Sequence, residues 1–249
     1  MGWDDPPNRL LRALKRDELA LYAQPILALK DAPTFPMAEV LVRLQDDDAV
    51  FLPPGGFLPL FEHFRLLPQL DRWVVRQSVA LLARLPRVPR LCVKISSQTL
   101  SDLEFVPELA SELARSKVPP GSLVIEISEH DLLEHPNDVD AFFASIRGIG
   151  CQLAISGFGR RSVSLTALTT MRPDFVKADG GIVRSLRIGQ SSRKKLGAMV
   201  SVAKVTGFAL IGEGVETNET LADLREAGVD YAQGFGIQVP APISLIIDH

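Results

Sequence analysis

The chain has 249 residues, 46% hydrophobic and 23% charged, which is too apolar for disorder and long enough for one large domain or two small ones. Its formal net charge of −3 leaves no global positive field to gather a nucleic-acid polymer. Two cysteines, Cys92 and Cys151, exclude a disulfide framework or a zinc knuckle and suit a reducing cytoplasm; no uncharged apolar stretch is long enough to span a bilayer.

In chain order, Pro6-Pro7 and the charged helix Asn8 to Arg16 read as a linker and leading helix over residues 1–18, the way a module joined to an upstream sensory or signalling domain would begin. Strands are expected at Ala20 to Leu27, Ala38 to Leu44, Leu91 to Ile95, Leu123 to Ile127, Gln152 to Ile155, Phe175 to Ala178, Ala209 to Gly212 and Tyr231 to Phe235. Helices are expected at Leu70 to Leu85, Glu104 to Ser116, Asp138 to Ile149, Lys194 to Val205 and Glu219 to Ala227. Strands alternating with helices in this way have the rhythm of an α/β (β/α)8 TIM-like barrel; a doubly wound sheet is second, and it lacks a glycine-rich phosphate loop. Only Ala28 to Met37 joins the first two strands, too short for a crossover helix, so the first strand should be antiparallel. Asp46 to Gly56, with Asp46-Asp47-Asp48, reads as a solvated loop.

The strands carry ionisable groups where branched apolar residues are expected. With a two-residue period, Glu39, Leu41 and Arg43 share a face, as do Lys94 with Ser96, Glu126 with Ser128, and Lys177 with Asp179. Buried charges are expensive unless paired, and barrel sites lie where strands end, so these faces point to one site. The alternative is a set of ion pairs that ties the end of the barrel together.

Read in order, Tyr22-Ala23-Gln24-Pro25-Ile26, Glu39-Val40-Leu41-Val42-Arg43, Leu70-Asp71-Arg72-Trp73, Glu126-Ile127-Ser128-Glu129, Lys177-Ala178-Asp179, Glu213-Gly214-Val215-Glu216 and Gln233-Gly234-Phe235 resemble the EAL domain, the bacterial cyclic di-GMP phosphodiesterase. The resemblance runs from about Leu19 to Pro242 and assigns residues 19–249 to a degenerate EAL domain. It implies a (β/α)8 barrel with an antiparallel first strand. In an active member it also implies two magnesium or manganese ions, held by hard oxygen ligands, that activate a water against the phosphodiester. The implied metal-ligand positions that remain include Glu39 and Glu126. Lys94 stands where the family has an asparagine, and Ser156-Gly157 stand where it has paired aspartates. No metal cofactor is therefore expected; magnesium or manganese would enter only in an active enzyme. Lys94 is expected to pair with Glu39 and Glu126 and so occupy the cation position, the alternative being an outward lysine.

The loop that follows reads Phe158-Gly159-Arg160-Arg161-Ser162 in place of the family's F-G-T-G-Y, with two arginines that either grip phosphate or are solvated; Arg65 stands where many members have glycine. For binding, the resemblance implies a phosphate contact for Arg43, a guanine acceptor in Asp71, cleft walls in Gln24, Leu41 and Gln233, and apolar surface in Phe235 and Pro240. Lys177, Asp179, Glu213 and Glu216 remain as relics of the catalytic set and as pocket walls. Asp71 could instead begin an amphipathic helix with Arg72 exposed, Phe235 could fill the barrel, and Glu213 or Glu216 could cap the next helix. Glu129 is expected to be a hydrogen-bonding brace. The reading is a domain that binds cyclic di-GMP without hydrolysing it, with a homodimer as a further partner. Beside it stand an interaction module without nucleotide and a weak phosphodiesterase.

Overall fold

The structure is a computed structural model that describes residues 3–16, 18–30, 34–46, 50–84, 90–161 and 165–247. Its strands are β1 Leu19–Ala28, β2 Met37–Gln45, β3 Phe51–Leu52, β4 Arg90–Lys94, β5 Leu123–Ser128, β6 Gln152–Phe158, β7 Phe175–Ala178, β8 Ala209–Gly212, β9 Tyr231–Ala232 and β10 Ala241–Pro242. The helices are α1 Pro6–Lys15, α2 Pro54–His63, α3 Leu67–Arg84, α4 Ser97–Leu100, α5 Phe105–Ser116, α6 Glu129–Glu134, α7 Pro136–Gly148, α8 Leu165–Met171, α9 Gly180–Arg184, α10 Gln190–Thr206, α11 Asn218–Ala227 and α12 Ile243–Ile247.

Eight strands close in the order β1, β2, β4, β5, β6, β7, β8, β9, with β3 and β10 appended at the margins. From β2 round to β9 the pairing is parallel, while β1 runs antiparallel to both of its barrel neighbours. This is the (β/α)8 barrel with the antiparallel first strand that the short first connection requires. One part of that connection, 31–33, lies outside the described residues, as do Asp47, Asp48 and Ser162. The stretch expected as a loop up to Gly56 instead contains β3 and the first turn of α2, where Pro54 supplies a ready-set φ and needs no backbone donor. No described helix is long and apolar enough to cross a membrane.

The floor of the barrel is a sealed apolar layer of Ile26, Met37, Cys92, Val124, Ala154, Phe175 and Ile211, one from each of seven strands. Ile26, Met37, Val124, Phe175 and Ile211 each contribute about 1.5–3 kcal/mol on burial, and the layer keeps water from reaching the polar layer above from below. Cys92 is therefore a core residue whose thiol is pushed up by burial, and burial likewise pushes Cys151 up to about 12. Outside the barrel, α1 docks onto the larger core: Leu10 and Ala13 are fully buried, and the Arg9 guanidinium pairs with Glu18 and donates to the Gln45 carbonyl at 2.8 Å.

Helix α2 ends in a two-bond reversal, with Arg65 N–H donating to the Glu62 carbonyl at 3.0 Å and Leu66 N–H to that of Phe61 at 2.8 Å. This geometry requires a left-handed residue, and Arg65 takes it with φ of 54°. The strain follows from having a side chain at a position that favours glycine. Arg65→Gly is expected to raise stability by about 1 kcal/mol, read as a higher denaturant midpoint at unchanged slope.

Candidate functional site

Above the apolar floor, the inward positions of the strands become polar. Lys177 lies two residues beyond Phe175 on β7, so it shares the inward face, and its side chain is 1% exposed. Its Nζ is 2.6 Å from Glu39 Oε2, 3.1 Å from Glu126 Oε2 and 3.1 Å from Glu213 Oε1. Burial alone would lower the pKa of Lys177, but Glu126, Glu39 and Glu213 reverse this and hold it well above the ordinary lysine value. Burial pushes Glu39 up, and the Lys177 ammonium with the Gln233 hydrogen bond more than cancels that, leaving it below its ordinary value. Glu213 goes the other way: burial, with Glu126 and Glu39 close by, pushes it up to about 7 against the pull of Lys177.

A chain of amides fixes this cluster from the β1 side. Gln233 Nε2 donates to Glu39 Oε2 at 2.7 Å and to Gln24 Oε1 at 3.0 Å, and Gln24 Nε2 donates to the Gln238 carbonyl at 2.9 Å. The register explains the meeting, since Gln24 is the partner of Glu39 across the β1–β2 pair.

The expected partnership of Lys94 is corrected here. Lys94 is the last residue of β4; it is exposed, and among the described residues it has no carboxylate at ion-pair distance. The strand ends beneath it, so its side chain emerges at the mouth, whereas Lys177 is enclosed within the ring. Lys94 still lies near enough for its charge to help lower Glu39.

Asp71 stands on the second turn of α3, not at a helix start, and is 6% exposed. Its Oδ2 accepts from Ser96 N–H at 2.9 Å, Ser96 Oγ at 2.6 Å and Thr99 Oγ1 at 2.6 Å. All three bonds fall on one oxygen. Burial pushes the carboxyl up to about 6 against these bonds and against Arg72. Asp71 borders a cavity of about 420 Å³ walled by Leu41, Leu58, Leu67 and Leu70. Arg72 is not a free surface residue, since its Nη1 is 2.7 Å from Asp102 and its Nε 2.7 Å from Glu108. Thr99, which holds Asp71 together with Ser96, was not among the expected site residues, whereas Ser96 shares the expected inward face with Lys94.

A third group of residues lines a cavity of about 460 Å³ above β4, β5 and β6, including Lys94, Glu126, Ser156, Gly157, Arg160 and Arg161. The β6–β7 register shifts between Ile155 and Phe158, which places Ser156 and Gly157 in a bulge, and Gly157 has φ of 64°. Glu129, 2% exposed, accepts from Gly159 N–H at 2.9 Å and Arg161 N–H at 2.8 Å, and so is the brace expected of it.

The remaining expected residues are placed as follows. Glu39, Leu41 and Arg43 do share the half-buried face of β2, with Val40, Val42 and Leu44 on the other. The Arg43 guanidinium lies over the Tyr22 ring at 4.9 Å and donates to the Val42 carbonyl. Asp179 lines the third cavity and caps α9, accepting from Gly181 N–H at 2.9 Å. Glu216 is exposed beside a smaller cavity of about 280 Å³ that also touches Gln24, Gln233 and Phe235. Neither Glu213 nor Glu216 caps α11, because Thr217 does. Phe235 is 69% exposed and cannot be barrel filler. Its strand stops at Ala232 because the chain turns tightly over Val215: a Cβ on Gly234 would lie 2.1 Å from the Val215 carbonyl oxygen. Pro240 is half buried and lines none of the three cavities at the mouth.

With this geometry in place, comparison with known proteins is specific. The EAL domain of Pseudomonas aeruginosa FimX, solved bound to c-di-GMP, is 31% identical with a TM-score of 0.88, over 96% of this chain and 97% of that one. The Xanthomonas citri FimX EAL domain in complex with c-diGMP is 26% identical with a TM-score of 0.88, over 95% and 93%. Among curated relatives, the cyclic di-GMP phosphodiesterase PdeF of Escherichia coli is 26% identical over 95% of this chain, and RocR of Pseudomonas aeruginosa is 29% identical over 96%. The chain spans 32% of the length of PdeF and 62% of that of RocR. The EAL domain family matches residues 7–240, and the chain belongs to that family.

Proposed function

We propose that this EAL domain binds cyclic di-GMP at the mouth of the barrel and does not cut it, acting as a receptor or regulatory module. The observation that carries the reading is the donor set at the mouth of the barrel, where Lys94, Ser156 and Gly157 border the carboxylate cluster. Glu39, Glu126 and Glu213 present carboxylate oxygens within 4.8 Å of one another, the one such group among the described residues, and the Lys177 ammonium is bonded to all three. A pair of divalent ions needs further hard oxygen donors. Positions 94, 156 and 157 offer an ammonium, a neutral hydroxyl and no side chain. This donor set does not fit a two-metal centre, so no hydrolytic step is derived from it.

The binding chemistry is more complete. Arg43, steadied on Tyr22, presents a planar fork of donors suited to phosphate oxygens. With Oδ2 of Asp71 committed to Ser96 and Thr99, its other oxygen is left to accept N–H donors from a guanine edge in the leucine-walled cavity. The locked amides of Gln24 and Gln233 give a preformed wall, which limits the ordering cost of binding. Two FimX EAL domains solved with the same ligand support this reading.

Incubation of the protein with cyclic di-GMP and excess magnesium or manganese is expected to yield no linear dinucleotide above a blank, followed by chromatography. Turnover that rises with either ion would overturn the non-hydrolytic reading.

A further inference from the structure

We infer that the cavity above β4, β5 and β6 is a phosphate-binding subsite, in which the side-chain cations Lys94, Arg160 and Arg161 and the hydroxyl of Ser156 take phosphate oxygens. This deepens the proposed function, since the phosphate it would hold in use belongs to the bound dinucleotide. The cavity has room for a phosphate group at about 460 Å³, and each carboxylate around it is already engaged. Glu39, Glu126 and Glu213 contact the Lys177 ammonium, Glu129 takes two backbone N–H groups, and Asp179 takes the N–H of Gly181.

The cations are in the opposite condition. Among the described residues, Lys94 and Arg160 make no ion pair, and Arg161 comes only within 3.7 Å of the exposed Glu134, too far for a hydrogen bond. The backbone that carries the arginines is held at Gly159 and Arg161. Glu129 grips its amides at Gly159 and Arg161, and Lys195 Nζ donates to the Gly159 carbonyl at 3.2 Å.

An independent sign comes from Ser156. Its Oγ is buried, its residue only 4% exposed, and it has no hydrogen-bond partner while lining this cavity. An orphaned buried hydroxyl is costly unless a ligand or water completes it, and beside Lys94 and Arg160, with Arg161 only loosely paired to Glu134, an oxyanion is the ligand that suits it. Gly157 adds no side chain to obstruct the approach.

The test titrates inorganic phosphate into the full chain at constant ionic strength, with chloride as control, and follows the backbone amide resonances of Ser156, Gly157 and Arg160. Saturable, phosphate-specific shifts that vanish in a Lys94→Met, Arg160→Gln, Arg161→Gln variant are expected; no saturable shift in the wild type would overturn the subsite. In a parallel arm with chelator, the same variant should bind cyclic di-GMP roughly 10-fold to 100-fold more weakly than wild type, the range for losing charge-assisted hydrogen bonds. Unchanged affinity would overturn the assignment of the subsite to the dinucleotide. Failure of the wild type to bind cyclic di-GMP at all would sink the receptor reading, while the inorganic phosphate arm would still decide the subsite.

Discussion

Replacing Lys177 by methionine is expected to lower stability by about 3–5 kcal/mol, because it leaves three carboxylates crowded together without their shared cation. For a domain of this size that corresponds to a fall in melting temperature of roughly 6–20 °C. Lys94→Met is the paired control: the residue is exposed and without an ion-pair partner among the described residues, so its replacement should stay within about 0.5 kcal/mol. The pH dependence carries a sign. In the wild type Lys177 is held above its ordinary value of 10.5, so its contribution is fully present below that value and is lost only as pH rises through the higher folded value. Glu39, held below its ordinary value of 4.5, contributes above that value and loses its contribution as pH falls through the lower folded value. In Lys177→Met the carboxylates repel one another and their folded pKa values rise, so the deficit should shrink as the solution is acidified from neutral toward pH ~5. Adding Glu39→Gln, Glu126→Gln and Glu213→Gln to Lys177→Met should restore most of the loss, since a cluster without charges has no charge left unpaired. Equal melting temperatures for Lys177→Met and wild type would show that the cluster is not held by this ammonium.

The second large effect is on affinity. Asp71→Asn is expected to weaken cyclic di-GMP binding about 100-fold with little change in melting temperature, measured by calorimetry and thermal unfolding on the same sample. The asparagine oxygen can still accept from Ser96 and Thr99, which preserves the link between α3 and the start of α4. Its amide nitrogen would then face the ligand and present a donor to donors. The elevated carboxyl predicts a matching pH profile in the wild type. With Asp71 at about 6, binding that needs the ionised form should weaken as pH falls below that value, by up to about 10-fold per unit. Glu39, Glu62, Lys94 and Asp131 border the same cavity, Arg72 lies on the same helix and Glu213, at about 7, lies at the same mouth, so the profile is to be compared with that of Asp71→Asn, which should lack the step that belongs to Asp71. For folding the sign is reversed: a raised carboxyl penalises the native state above its ordinary value of 3.8, so removing the charge does not cost stability.

Much of this architecture was legible in the residues. The ten-residue link from Ala28 to Met37 excluded a crossover, and the β1–β2 pair is antiparallel as a result. Period-two alternation placed Glu39, Leu41 and Arg43 on one face, and the burial along β2 follows it residue by residue. Which lysine would meet the carboxylates was not legible, because alternation puts both Lys94 and Lys177 on inward faces. The difference is depth: Lys94 is the last residue of β4 and is exposed, whereas Lys177 is followed by Ala178 within β7 and is 1% exposed. Periodicity carries no information about how far a strand extends beyond a given residue in its neighbours' frame. The last strand was drawn too long for a related reason. Tyr231 to Phe235 has the composition of a strand, but the close approach of Gly234 to Val215 is a tertiary contact, and it turns Phe235 out to solvent. Asp71 had two local readings, a helix start or a buried acceptor. Only the packing of α3, beginning at Leu67, placed it a turn inside the helix against Ser96.

The residues that the resemblance marks as departures lie together in space. Positions 94, 156 and 157, where the resemblance implies oxygen donors, border one cavity, and Arg160 and Arg161 border it too. Each carboxylate around that cavity has a protein partner: Glu39, Glu126 and Glu213 share the Lys177 ammonium, and Glu129 and Asp179 accept backbone N–H groups.

The measurement that bears most directly on this account is calorimetry of cyclic di-GMP against the full chain in excess EDTA. Binding with one ligand per domain, unchanged in affinity on replacing the chelator by magnesium or manganese, is the predicted result. Affinity that disappears with chelator and returns with either ion would contradict it.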